Sequence, residues 1–264
     1  MPSTFHVKNA TTYEQVMGRF SRQLAPKFLD WVGETGGTIL DVGCGTGSLI
    51  EELLQRNAAA KITAMDYEER FVEACKEAYQ EELRVLVEQG DAENLRYRDA
   101  AFETTLSMLT LHFIQDPVQA LREMRRVTKP GGMVASTVWE AGKLADHELF
   151  WGAVARVNPQ VAELRNNTRG NGTTRADGLV AAFREAGLRQ ITLERCTISM
   201  DYENAHEYWK PYGHDAAKTN KFLSKLTSEQ VAELETQVRT AYLDGEPDGP
   251  RHFPAVALAV KAVH

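Results

Sequence analysis

The sequence predicts an α/β fold: a doubly wound, largely parallel sheet with helices on both faces. Three observations predict it. Short apolar runs alternate with helical-period segments through the middle of the chain. Several of those runs end on an acid, and the first opens directly into "GCGTG" and a helix. Strands separated by helices of this length form βαβ units, and right-handed crossovers place the helices on both faces.

The elements follow in order. "YEQVMGRFSRQLAPKFLDW" puts Tyr13, Met17, Phe20, Leu24 and Phe28 on one helical stripe, which Pro26 is expected to split or bend. "TIL" is the first strand, and "SLIEELLQRN" a helix with Leu49, Ile50, Leu53 and Leu54 on one side. "KITAMD" is a strand ending in Asp66, and "EERFVEACKEAYQEE" a helix through Phe71, Ala74, Cys75 and Ala78. "RVLVEQGD" ends at Asp91, and "TTLSMLTL" is the fourth strand. "PVQALREMRRVTKPGG" is a helix with a Lys-Pro-Gly-Gly stop, and "MVASTVW" the fifth strand. Residues 140–178 read as loop-rich around "RNNTRGNGTTRADG". "LVAAFREAGLRQITLERCTISM" reads as helix, Gly187 stop, strand. "AHEYWKPYGHD" is aromatic-rich, "SEQVAELETQVRTAYLDG" a helix begun by a Ser/Glu signal, and "HFPAVALAVKAV" a closing strand. One domain over 1–264 is expected: a helical lead-in (1–34), a core (35–140), and further strands with cap insertions near 141–178 and 203–245.

Composition bounds the function. The chain has 264 residues, 43% of them hydrophobic and 25% charged, enough to build a core without staples. Its three cysteines have no metal spacing and fit a reduced, cytoplasmic setting. No metal site is expected. The start lacks a signal-peptide pattern, and no apolar run approaches the roughly 20 residues of a membrane span. A net charge of −7 argues against an extended nucleic-acid surface.

The stretch "ILDVGCGTGSLIEELL" carries the chemistry. Glycine is costly unless a special backbone conformation or a close approach requires it. A dinucleotide loop reads G-x-G-x-x-G, but here the third glycine position holds Ser48, and the pattern is G-x-G-x-G. Asp41, two residues before Gly43, would repel a pyrophosphate. It suits a ligand without phosphate and with a cationic end, such as S-adenosylmethionine. Asp66, 19 residues after Gly47, stands where an acid accepts ribose hydroxyls. Asp91 and Ala92 stand where an adenine edge would lie. All these positions fall at carboxyl ends of strands, where open parallel sheets place their ligand crevice.

Together "ILDVGCGTGSL", "AMD", "QGDAENL", "SMLTLHFIQDP" and "LREMRRVTKPGGMV" resemble the class I S-adenosylmethionine-dependent methyltransferases, in particular the small-molecule group that includes the ubiquinone/menaquinone-type C-methyltransferases. The resemblance covers about residues 35–140 and continues weakly through the final strands. It implies a Rossmann-like seven-stranded sheet, order 3-2-1-4-5-7-6, with strand 7 antiparallel. It implies that Asp41, Gly43, Gly45 and Gly47 line the methionine part of the cofactor, that Asp66 and Tyr67 hold the ribose and flank the adenine, that Asp91 and Ala92 meet the adenine edge, and that Leu109 offers a backbone contact. The fourth strand departs from the family in beginning "FETTLSM".

Other residues are candidates on position alone. Arg19 has the planar fork to pair with the cofactor carboxylate. His112, just past strand four, is a candidate general base, weighed against a packing histidine. Tyr13, Met17, Tyr208, Trp209, Tyr212 and His214 are expected around a substrate pocket, the bland reading of the aromatics being that they pack the cap. The run Arg122, Arg125, Arg126, Lys129 reads as a solvated helix face. The expected function is methyl transfer to a small apolar or aromatic acceptor. The alternatives are a non-enzymatic cofactor-binding or regulatory module and, against the glycine spacing, a nicotinamide oxidoreductase.

Overall fold

The computed structural model describes residues 17–167, 171–213 and 222–264. Tyr13 and His214 lie outside the described residues. The elements are α1 (Arg19–Val32), β1 (Thr38–Val42), α2 (Ser48–Arg56), β2 (Lys61–Asp66), α3 (Glu69–Ala78), β3 (Val85–Gln89), β4 (Phe102–Met108), α4 (Pro117–Val127), β5 (Thr128–Leu144), α5 (Ala145–Val157), α6 (Pro159–Asn167), α7 (Ala176–Glu185), β6 (Arg189–Tyr202), α8 (Ala205–Trp209), α9 (Ser228–Leu243) and β7 (Arg251–Val263). The sheet runs β3-β2-β1-β4-β5-β7-β6. Strand β1 pairs in parallel with β2 and β4, β2 with β3, and β4 with β5; β7 is antiparallel. This is the expected order.

The chain forms two compact units. The first comprises Met1–Glu140, Gly170–Cys196 and Ala257–His264; the second comprises Ala141–Arg169 and Thr197–Val256. In the first, Leu40 and Val42 of β1, Val134 and Val138 of β5, and Leu258 and Val260 of β7 meet Leu121 and Met124 of α4 and Phe183 of α7 in one core. Helix α1 runs unbroken through Pro26, so of the expected split or bend the split does not occur. An interior proline costs about 3 kcal/mol. Burial of Phe20, Leu24, Phe28 and Leu29, at roughly 1.5–3 kcal/mol each, outweighs that. Strand β5 is also longer than expected. It begins at Thr128, directly after α4, so Lys-Pro-Gly-Gly lies within the strand. The Thr128 hydroxyl donates to the Met124 carbonyl (2.6 Å), and Thr105 and Thr128 hydroxyls meet at 2.7 Å.

The second unit is built around aromatics. Phe150 stacks on Tyr212 with ring centroids 3.8 Å apart, and Tyr208 lies between Tyr202, Tyr242 and Phe253. Each buried tyrosine hydroxyl has a partner, as burial requires. Tyr202 donates to the buried Asp146 carboxyl (2.9 Å) and Tyr208 to the Asp146 carbonyl (2.5 Å). The Tyr242 hydroxyl lies 3.0 Å from the Tyr202 and Gly249 carbonyl oxygens. Helices α5 and α6 occupy much of the segment expected as loop. Helix α9 starts at Ser228, the first residue of the expected helix, and Thr227 is its N-cap, its hydroxyl accepting from the Gln230 amide (3.2 Å) while the Gln230 side chain accepts from the Thr227 amide (3.1 Å). This reciprocal pair satisfies two otherwise orphaned amides. Thr227→Ala should therefore destabilise the protein by about 1 kcal/mol, read as a lowered urea midpoint; an unchanged midpoint would show the box to be energetically idle.

Candidate functional site

Strand β1 delivers the chain into three glycines that all adopt left-handed backbone: Gly43 at φ 79°, Gly45 at 54° and Gly47 at 94°. Only glycine reaches that region cheaply. At two of them space is also refused. A Cβ on Gly43 would collide with the Thr110 side chain, and one on Gly47 would lie 2.5 Å from the Tyr79 ring. The loop is tied to the end of β2. The Met65 carbonyl accepts from the Gly43 (2.7 Å) and Cys44 (3.0 Å) amides. The Asp66 carboxylate accepts from Gly45 (2.9 Å) and Glu68 (3.0 Å). From the opposite side Tyr79 donates to the Gly47 carbonyl (3.0 Å) and Thr110 to the Gly43 carbonyl (3.1 Å).

One cavity opens at this edge, within the first unit. Its walls are the loop (Gly43, Cys44, Gly45, Thr46, Ser48), the end of β2 (Met65, Asp66, Tyr67, Glu68), the stretch Asp91–Glu93 and the stretch after β4 (Met108, Leu109, Thr110, Phe113, Ile114, Gln115), with Ser21 and Phe71 completing it. Of the residues singled out from sequence, Gly43, Gly45, Asp66, Tyr67, Asp91, Ala92 and Leu109 are thus brought together. Gly47 braces the loop without lining the cavity. Leu109 has φ 59°, a conformation that costs a leucine roughly 1–2 kcal/mol; its amide is held by the Thr137 carbonyl (2.9 Å).

Other candidates lie elsewhere. Arg19 is not on the cavity wall; its guanidinium sits 4.6 Å from the Phe20 ring centroid, and Ser21 lines the cavity instead. Met17 is half-buried off the walls, its carbonyl accepting from Ser21 (3.2 Å). His112 is likewise absent from the walls, although its neighbours Thr110 and Phe113 form them. Its Nδ1 is enclosed without a partner, and burial pushes its pKa down to about 4. Tyr208 and Trp209 are buried in the second unit with Tyr212 beside them, which describes packing of that unit. Cys44, Thr46, Glu68, Glu93, Thr110 and Phe113 were missed; each adjoins a residue that was named. Among the described residues no cluster of three or more metal-ligating side chains occurs.

Arg126 corrects the reading of α4 as a solvated face. Its guanidinium reaches the carbonyls of Leu95 and Tyr97 (both 2.8 Å), Asp99 (2.7 Å) and both oxygens of Glu123. Glu123 in turn accepts from the Leu95 amide (2.9 Å). This fan fixes the segment that follows Asp91–Glu93. Arg122, by contrast, makes an exposed pair with Glu185 (3.3 Å).

Asp41 is 1% exposed, is not on the cavity wall, and neither carboxyl oxygen has a hydrogen-bond partner. Burial, and secondarily the charge of Asp66, pushes its pKa up to about 8. A carboxyl whose folded pKa is raised holds its proton in the folded chain while the unfolded chain loses it. Stability therefore falls as pH rises from about 4 to about 8 and levels off above. Asp41→Asn should remove that slope: relative to the variant, the ligand-free protein should lose more than about 1 kcal/mol between pH 5 and pH 8. Urea unfolding at the two pH values measures it, and a constant difference would show Asp41 to be ionised and compensated.

Comparison with known proteins agrees with this geometry. Residues 40–136 match the methyltransferase domain family model. A malonyl-[acyl-carrier protein] O-methyltransferase of Erwinia pyrifoliae is 33% identical over 46% of this chain and 44% of its own length. A ubiquinone/menaquinone biosynthesis C-methyltransferase of Bdellovibrio bacteriovorus is 34% identical over 38% of this chain and 43% of its own. The matches thus span less than half of those relatives. In three dimensions the chain resembles a Haemonchus contortus phosphoethanolamine N-methyltransferase solved with S-adenosylhomocysteine (TM-score 0.59, 17% identity, 96% of this chain and 57% of the other), a likeness of fold. Glycine loop, sheet order and domain match agree: residues 40–136 are similar to the methyltransferase domain family and lie in a sheet of the order 3-2-1-4-5-7-6.

Proposed function

We propose that the chain transfers a methyl group from S-adenosylmethionine to a small organic acceptor with an apolar or aromatic body. The observation that carries this reading is the make-up of the cavity at the loop. One part is backbone and carboxylates; the remainder includes Met65, Phe71, Met108, Leu109, Phe113 and Ile114. The residues present fit the cofactor. Left-handed glycines leave the loop backbone bare, Asp66 keeps acceptor capacity beyond its two amide bonds, and the Tyr67 ring is half exposed at the rim. In this reading Asp66 and Tyr67 hold the ribose and flank the adenine, Asp91 and Ala92 meet its edge, and Leu109 offers its carbonyl near the methionine end.

Bound S-adenosylmethionine supplies an activated methyl group on a sulfonium. The protein's task is then to orient the acceptor and exclude water, which accounts for up to roughly 7–11 kcal/mol in favourable cases. A general base works best with a pKa near the working pH; His112, at about 4 and off the walls, is suited to packing the turn it sits in. The relatives' names span an O-methylated carrier-bound acid and a C-methylated quinone precursor. Incubation with labelled S-adenosylmethionine and a panel of hydroquinones, phenols, carboxylate thioesters and small polar amines tests the acceptor class, and labelling confined to the polar amines would reject it. For the cofactor, hydrogen bonds to a charged group contribute about 1.5–3 kcal/mol, so Asp66→Ala should weaken S-adenosylhomocysteine binding at least tenfold by calorimetry. Unchanged affinity in a folded variant would remove Asp66 from the ribose site.

A further inference from the structure

We propose that Asn171 is a positioning residue whose carboxamide fixes the turn at residues 111–114 and, through it, one wall of the cavity. The inference rests on the reading of that cavity as the cofactor and acceptor site. Asn171 stands in "RNNTRGNGTTRADG", the stretch around which the sequence reads as loop-rich. Its Nδ2 donates to the Leu111 carbonyl (2.8 Å) and to the Ile114 carbonyl (2.6 Å), using both hydrogens. Its Oδ1 accepts from the Thr173 amide (3.2 Å) and hydroxyl (2.6 Å). All hydrogen-bonding capacity of the side chain is thereby engaged. The network also fixes its orientation, since the reversed amide would set an oxygen against two carbonyl oxygens.

The anchor is itself held. Thr173 is 1% exposed, and Gly172, at φ 85°, accepts from the Arg175 amide (3.2 Å). The Gly172 carbonyl packs so closely on Gly178 that a Cβ there would collide with it. The clasped turn needs such support. It follows Leu109 in its strained conformation and precedes the Asp116 cap of α4. Leu109, Thr110, Phe113, Ile114 and Gln115 all face the cavity, so a shift of the turn moves the wall. Small displacements of positioning groups have large effects on transfer rates.

The test compares Asn171→Asp, Asn171→Ala and Asn171→Ser with the parent chain. Asn171→Asp keeps the shape but sets a carboxylate against two carbonyl oxygens; Asn171→Ser keeps one donor and guards against a variant that does not fold. Amide hydrogen exchange over residues 109–115 should accelerate at least tenfold in the Asp and Ala variants and less in Ser. Exchange in β1 and β2 should stay at the parent level, and affinity for S-adenosylhomocysteine should fall about fivefold. Unchanged exchange at 109–115, or acceleration spread evenly over the chain, would overturn the proposal. Failure of the parent chain to bind S-adenosylhomocysteine would instead overturn the cofactor reading, while the exchange measurement still decides Asn171.

Discussion

The site depends on how the glycine loop hangs from the end of β2. Two acceptors in succession, the Met65 carbonyl and the Asp66 carboxylate, take three loop amides between them. Those amides point inward because Gly43 and Gly45 adopt left-handed backbone, and the loop can close on β2 because parallel pairing aligns Val42 with Met65. A shift of that register by one residue would turn the opposite faces inward and take the acceptors away from the loop. Asp66 is thus committed to building the loop before any ligand arrives, at the cost of a carboxylate whose burial pushes its pKa up.

Much of this was legible in the sequence. The alternation of strands and helices, the glycine spacing and the acids at strand ends all reflect local constraints, and each placed its residues near the cavity. Where the reading failed, the missing information was long-range. Helices α5 and α6 escaped notice because "HELFWGAVARV" carries apolar residues all round and lacks a stripe. Arg126 looked like one more exposed cation because its partners, the Leu95 and Tyr97 carbonyls, are backbone groups some thirty positions away. Leu109 could not be anticipated in a conformation that its residue type disfavours. Tyr208 and Trp209 are ambiguous as sequence, since aromatics serve walls and cores alike; in the structure both are buried.

Charge is handled differently in the layers of the first unit. At the rim, Asp91 is exposed and its carboxylate merely holds the Glu93 amide (2.9 Å). One layer in, Asp66 is compensated by backbone amides. Within β1, Asp41 has no compensation, and its proton stays on up to about pH 8. An unpaired buried charge is avoided by neutralisation, so Asp41 adds no negative charge behind the loop below that pH.

The sheet order has a consequence for how the chain reaches this structure. Strand β7, the last in sequence, lies between β5 and β6. The first unit therefore completes its sheet only when residues 257–264 arrive, after the whole second unit has been threaded out between its segments. During synthesis, β5 and β6 emerge with facing edges unsatisfied. Pairing over such long sequence separation is slow, and open edges in an unfinished sheet invite association with other chains. The strand farthest from the glycine loop in sequence thus governs how long the nascent protein stays exposed to misassembly.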